Sequence, residues 1–151
     1  MNDRQLLEHH NIPPKKSLGQ NFLHDPNTLE KIVELADLSP ESAVLEIGPG
    51  TGNLTRVLAR EAARVVAVET DDRLIPLLQR EFDTQPHVRI VHSDILQTNL
   101  RDLMGDTPFI VVANLPYYIT SAILRYLLEG EPKPQRIARS RSRALSAMCS
   151  S

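Results

Sequence analysis

Four short segments of this 151-residue chain carry side chains that could do chemistry, and each closes an apolar run. The first, Gly48-Pro49-Gly50-Thr51-Gly52, follows Val44-Leu45-Glu46-Ile47 and leads into Asn53-Leu54. Glycines permit a tight turn and let a ligand lie against bare backbone. The spacing is G-x-G-x-G rather than the G-x-G-x-x-G of dinucleotide binders, and no lysine follows as in a phosphate loop, so a cofactor without a pyrophosphate is favoured. Glu69 ends the next run, 21 positions after Gly48, where doubly wound nucleoside binders place an acid on the ribose hydroxyls. The alternative is a solvated glutamate beginning a helix beside Thr70, Asp71 and Asp72. Asp94, after Ser93, ends the third run; it is placed either to accept from the exocyclic amine of a bound adenine or to cap the segment that follows.

Asn114-Leu115-Pro116-Tyr117 closes the fourth run and reads as the reaction centre. Adenine's exocyclic nitrogen is a poor nucleophile because its lone pair is delocalised into the ring. An asparagine oxygen and a backbone carbonyl held by proline can accept both amine hydrogens and hold that lone pair toward an electrophilic methyl group. No general base is required. Tyr117 offers a stacking face for a base swung out of its helix. The alternative is a strand-ending turn with aromatic packing.

These segments need a scaffold, and the apolar spacing supplies one. Strands are expected at 43–47, 64–68, 87–92 and 108–113, with helical faces between them. A first helix over 26–37 starts at Asp25-Pro26. Asp71 or Asp72 caps the helix carrying Leu74, Leu77, Leu78 and Phe82, and Thr120 or Ser121 caps the last one, through Ile123, Leu124, Leu127 and Leu128. Strands alternating with helices imply a mostly parallel α/β sheet with helices on both faces. The chain divides into an arm over 1–24, the α/β unit over 25–134 and a tail over 135–151 that shows no convincing period.

Composition narrows the class. With 41% apolar and 24% charged residues, one globular unit is expected. No apolar run is long enough for a membrane helix and the start lacks a secretory core, so a cytoplasmic protein is expected. A single cysteine, Cys149, gives no disulfide framework. His9, His10, His24, His87 and His92 lack zinc-type spacing, so no metal is expected. All 19 acidic residues lie within 1–134, whereas the tail holds four arginines and no acid; a basic RNA-binding tail is one reading of it, an aberrant end the other.

Taken together, Ser17-Leu18-Gly19-Gln20-Asn21-Phe22-Leu23, the glycine segment, Val68-Glu69, Ser93-Asp94 and Asn114-Leu115-Pro116-Tyr117-Tyr118-Ile119-Thr120-Ser121 resemble the ribosomal RNA adenine N6-dimethyltransferases, in particular their bacterial small-subunit branch. The resemblance covers about residues 12–137. It implies a Rossmann-like fold and S-adenosylmethionine as methyl donor, with Gly48 and Gly50 around its amino-acid part, Glu69 on the ribose and Asp94 at the adenine. It further implies that Asn21 and Leu23 close over the cofactor, that Asn114 spans cofactor and target base, and that the partner is small-subunit ribosomal RNA or the assembling subunit, met by a monomer. The rival readings are a large-subunit adenine methyltransferase of the antibiotic-resistance type, a non-catalytic RNA or assembly module, and a nicotinamide oxidoreductase, which the glycine spacing opposes.

The resemblance departs at the end, where family members continue into further strands. Pro134-Gln135-Arg136-Ile137 still looks like the approach to a fifth strand before the arginine-serine tail. The expectation is a sheet ordered 3-2-1-4, incomplete at its C-terminal end, with the fourth strand an uncovered edge. Such a chain would be marginally folded and aggregation-prone, would bind cofactor weakly and would not methylate ribosomal RNA at a useful rate.

Overall fold

The computed structural model describes residues 26–114, 117–139 and 146–149. In chain order the elements are α1 (Pro26–Ala36), β1 (Ala43–Ile47), α2 (Asn53–Glu61), β2 (Arg64–Glu69), α3 (Ile75–Glu81) and β3 (Val88–His92). A 3-10 turn (Ile95–Gln97) follows, then α4 (Leu100–Met104), β4 (Ile110–Ala113), α5 (Tyr117–Glu129), β5 (Arg136–Arg139) and β6 (Ser146–Cys149).

The strands form one sheet ordered β3-β2-β1-β4-β5-β6. The first five in that order are mutually parallel, and β6 runs antiparallel to β5. Every residue of β1 and β4 is buried, as central strands covered on both faces require. Side chains alternate between two cores. Val44, Val65, Ile110 and Val112 face α1, α2 and α3, meeting Ile32, Leu58 and Leu78. Leu45, Val66, Val111 and Ile137 face the other layer, meeting Leu103 and Met104 of α4 and Leu127 of α5. No helix among the described residues is long and apolar enough to cross a membrane.

Several expectations are corrected here. β4 is not an edge: Val111 pairs with Ile137 and Val112 with Ala138, so the uncovered strand from which marginal folding and lost activity were expected is absent. The boundary drawn at 134 therefore cuts through the sheet, and residues 136–139 and 146–149 of the expected tail are strands. Arg136 and Arg139, half-buried, flank a buried Ile137-Ala138 pair. Arg136 reaches the end of α1, donating from Nε to the Ala36 carbonyl at 3.1 Å and from Nη2 to the Asp37 carbonyl at 3.1 Å. This satisfies carbonyls that a helix terminus leaves unpaired. The last helix begins at Tyr117, ahead of Thr120 and Ser121; the proline preceding Tyr117 in the sequence suits a helix start. Neither Asp71 nor Asp72 caps α3, whose N-cap is Leu74, because the Asp71 side chain is engaged by Arg73. α4 was not anticipated; Asn99 caps it by accepting from the Arg101 N–H at 2.9 Å.

Candidate active site

The strand register lines up the chemistry. Ile47 pairs with Val68 on one side and with Ala113 on the other, and the Gly48 N–H donates to the Val68 carbonyl at 3.0 Å. Gly48 thus leaves the sheet between Glu69 and Asn114. Glu69 pairs with His92, and the Ser93 N–H donates to the Glu69 carbonyl at 3.1 Å. Read from β3 to β4, the carboxyl ends of the strands present Asp94, Glu69, Gly48 and Asn114. With strands about 4.8 Å apart, the row spans about 15 Å, a length that suits a nucleoside with an extended substituent. Such crevices beyond the carboxyl ends of parallel strands are where open α/β sheets bind ligands.

The glycine turn is built from backbone that other residues rarely adopt: φ is +74° at Gly48, +59° at Gly50 and +91° at Gly52. Gly52 also starts α2 hard against α3, where an added Cβ would lie 3.0 Å from Phe82 Cε2. The first two glycines offer a ligand bare backbone. The third is a packing requirement.

Glu69 is only 5% exposed, which removes the reading of a solvated glutamate. Its Oε1 accepts from the Gly50 N–H at 3.2 Å and its Oε2 from the Asp71 N–H at 3.0 Å. Burial pushes its pKa above the ordinary carboxylate value, and backbone donors from Asp71, Gly50 and Thr70 oppose that shift. These donors occupy only part of the roughly four acceptor positions of a carboxylate, leaving capacity for ligand hydroxyls. Asp94 is exposed and uses Oδ1 to accept from the Leu96 N–H at 3.0 Å, capping the 3-10 turn. The capping alternative therefore holds for one oxygen, and the second lies outside that cap. Asn114 is half-buried directly after β4. Asn21, Leu23, Leu115 and Pro116 lie outside the described residues. Tyr117 opens α5, with its side chain outside the description.

Sequence reasoning missed Glu46. It lies in β1 two residues before the glycine turn, fully buried, and accepts from the Thr55 hydroxyl on α2. Its Oε2 has no hydrogen-bond partner among the described residues. Burial raises its pKa to about 8, helped by the Glu69 charge and opposed by the Thr55 hydroxyl. The available signal was an acid inside a strand otherwise apolar throughout, because such a strand has no solvent face to receive it.

The row thus offers carboxylates, an amide and open backbone, with no lysine in the glycine turn. That set fits a ligand presenting hydroxyls, amines or a cationic centre, and suits a phosphate poorly. Among the described residues, no group of three or more His, Cys, Asp or Glu side chains could hold a metal ion. A groove of about 360 Å³ lined by Thr98, Asn99 and Tyr126 includes none of the row.

Comparison with known proteins agrees with this chemistry. The ribosomal RNA adenine dimethylase family matches residues 12–145. A ribosomal RNA small subunit methyltransferase A from Dehalococcoides mccartyi is 47% identical over 133 residues, covering 87% of this chain and 46% of the relative. The protein of the same name from Streptococcus sanguinis is 50% identical over 135 residues, covering 84% and 46%. The chain therefore spans about half the length of the curated relatives it matches. Among solved structures, the 23S rRNA methyltransferase ErmE superposes with a TM-score of 0.70 at 39% identity, covering 79% of this chain and 47% of that one. A dimethyladenosine transferase from Plasmodium falciparum gives 0.67 at 28% identity, covering 79% and 42%. The fold is thus the Rossmann-like fold of methyltransferases that use S-adenosylmethionine.

Proposed function

Because the chain belongs to the ribosomal RNA adenine dimethylase family, we propose that it methylates N6 of adenine in small-subunit ribosomal RNA, converting two neighbouring adenosines to dimethyladenosines. The observation that carries this reading is the register placing Asn114 beside Gly48, with Glu69 on the opposite flank. S-adenosylmethionine, when bound, supplies an electrophilic methyl group. Glu69 accepts from its ribose hydroxyls, Asp94 from its adenine amine, and Gly48 and Gly50 leave room for its amino-acid part. Asn21 and Leu23 close over it.

The Asn114 side-chain oxygen accepts one hydrogen of the target amine and the Leu115 carbonyl, ahead of Pro116, accepts the other. Drawing both hydrogens toward acceptors on one side of the base pyramidalises the amine, so its lone pair leaves conjugation and points toward the methyl group; the methylated nitrogen is then acidic enough to release its proton to water, and positioning and electrostatics replace a general base. Tyr117 stacks on the extruded base, which has to leave its helix to be reached. The protein works in the cytoplasm as a monomer on the assembling small subunit.

The test uses the full chain with labelled S-adenosylmethionine and ribosomal subunits lacking these methyl groups. Label is expected as dimethyladenosine in small-subunit RNA and lost in Asn114→Ala, which should keep its cooperative unfolding transition. Label in large-subunit RNA instead would favour the rival specificity, suggested by the 39% identity to ErmE. Cofactor binding with no transfer to either subunit would favour a binding module.

A further inference from the structure

Beyond the residues assigned to the ligand, the turn after β2 holds a second set of charges with a defined relation to Glu69. We propose that Arg73, acting through Asp71, is a positioning residue for the cofactor site: it locks the turn that aims the Asp71 N–H at Glu69 and cancels the charge buried beside it. The inference rests on the reading of Glu69 as the ribose acceptor.

The geometry is specific. The Asp71 N–H donates to Glu69 Oε2 at 3.0 Å. The Asp71 carboxylate is held by three donors from Arg73: the backbone N–H to Oδ1 at 3.0 Å, Nε to Oδ1 at 3.1 Å and Nη2 to Oδ2 at 3.0 Å. The Asp71 side chain is 0% exposed and that of Arg73 28%, so the fork is partly withdrawn from solvent, where a two-point guanidinium contact fixes geometry best. The Asp71 carbonyl also accepts from the Leu74 N–H at 3.1 Å. One short turn therefore carries the fork, the entry to α3 and the donor to Glu69.

Without Arg73, Asp71 would be a buried carboxylate two residues from Glu69. Two effects then act in the same direction. The turn keeps the backbone donors from positions 73 and 74 but loses the two-point guanidinium contact, which loosens the Asp71 N–H that serves Oε2, and the loss of the guanidinium charge disfavours ionised Glu69. A protonated Glu69 has a hydroxyl where it needs an acceptor. Among the described residues, the other titratable groups near Glu69 do not replace the lost charge. Glu46 of β1 and Asp72 are acids, as is Asp94 after β3. His92, the register partner on β3, spends Nε2 on the Thr70 carbonyl at 3.2 Å.

The test measures affinity of the full chain for S-adenosylhomocysteine by calorimetry from about pH 5.5 to about 8.5, in wild type, Arg73→Met, Arg73→Lys and Glu69→Gln. Wild-type affinity should fall on the acid side as Glu69 protonates. Arg73→Met should move that acid limb up by about one pH unit and weaken binding about tenfold at neutral pH, with recovery toward alkaline pH. Arg73→Lys keeps the charge without the fork and should place the limb between the two. Glu69→Gln should bind weakly with no acid limb. Equal weakening of Arg73→Met at every pH, or none, overturns the proposal. If Arg73→Met does not fold, an Arg73→Lys limb identical to wild type does the same. A Glu69→Gln protein that binds like wild type overturns the assignment of Glu69 itself, a distinguishable result.

Discussion

Glu46 should make this protein lose stability as pH rises through neutrality. Its carboxyl is buried in β1 and its pKa stands at about 8, against 4.5 for the exposed group. Between those values the folded chain keeps a proton that the unfolded chain has released. The folded state therefore binds more protons, and stability falls with pH. The contribution is fully present below pH 4.5, declines tenfold in the folded-to-unfolded ratio per pH unit, and is gone once pH passes the folded-state value of about 8. Across the whole window this amounts to about 5 kcal/mol, comparable with the entire stability of many domains. The assay is urea denaturation in half-unit steps across that range, comparing wild type with Glu46→Gln. The glutamine keeps an oxygen for the Thr55 hydroxyl but gains an amide without an evident partner, so it should be the less stable protein in acid and the more stable in alkali. Curves that run parallel across the whole range would refute the reasoning, since every other titrating group is common to both proteins.

Three further outcomes are expected. Glu69→Ala should weaken S-adenosylhomocysteine binding by about 1.5–3 kcal/mol through lost charge-assisted hydrogen bonds, and unchanged calorimetric affinity would remove Glu69 from the site. Gly52→Ala forces a side chain into a +91° φ and within 3.0 Å of Phe82; it should lower unfolding free energy by about 1–3 kcal/mol, and an unshifted denaturation midpoint would show that α2 and α3 can separate freely. Ile137→Ala, at a position 2% exposed between β4 and the α4–α5 layer, should lower it by about 2–5 kcal/mol, whereas no change would mean that β5 is not seated on β4.

β1, β2 and β4 were legible because strands buried on both faces read as apolar runs, β3 at the sheet edge because Val88, Ile90 and Val91 still mark it, and the strand ends read as the polar residues that stop them. The buried state of Glu69 was not legible: its partners, the Gly50 and Asp71 N–H groups, are backbone and leave no trace in side-chain pattern. β5 was legible only as an approach to a fifth strand at Pro134-Gln135-Arg136-Ile137, because only Ile137 and Ala138 mark it and the arginines on either side mimic a solvated tail. What settles Arg136 is the end of α1, a hundred positions earlier in the chain, which no local window contains. α4 is a single turn and a half, too short for helical periodicity to register. Glu46 is hidden by its neighbours: Val44, Leu45 and Ile47 make the run read as an apolar strand, in which its one acid has nowhere to be solvated.

The row of strand ends has a consequence for where damage to the site can originate. Asn114 owes its place beside Gly48 to the pairing of Val44, Leu45, Glu46 and Ile47 with Ile110, Val111, Val112 and Ala113. A slip of one residue along that ladder would carry Asn114 about 3.3 Å and turn its side chain to the opposite face, while Glu69 and Gly48, held on the β1–β2 side, would stay where they are. The two halves of the site can therefore fail separately. Faults in the packing of β4, however far from any ligand atom, fall on the reacting end and spare the nucleoside end.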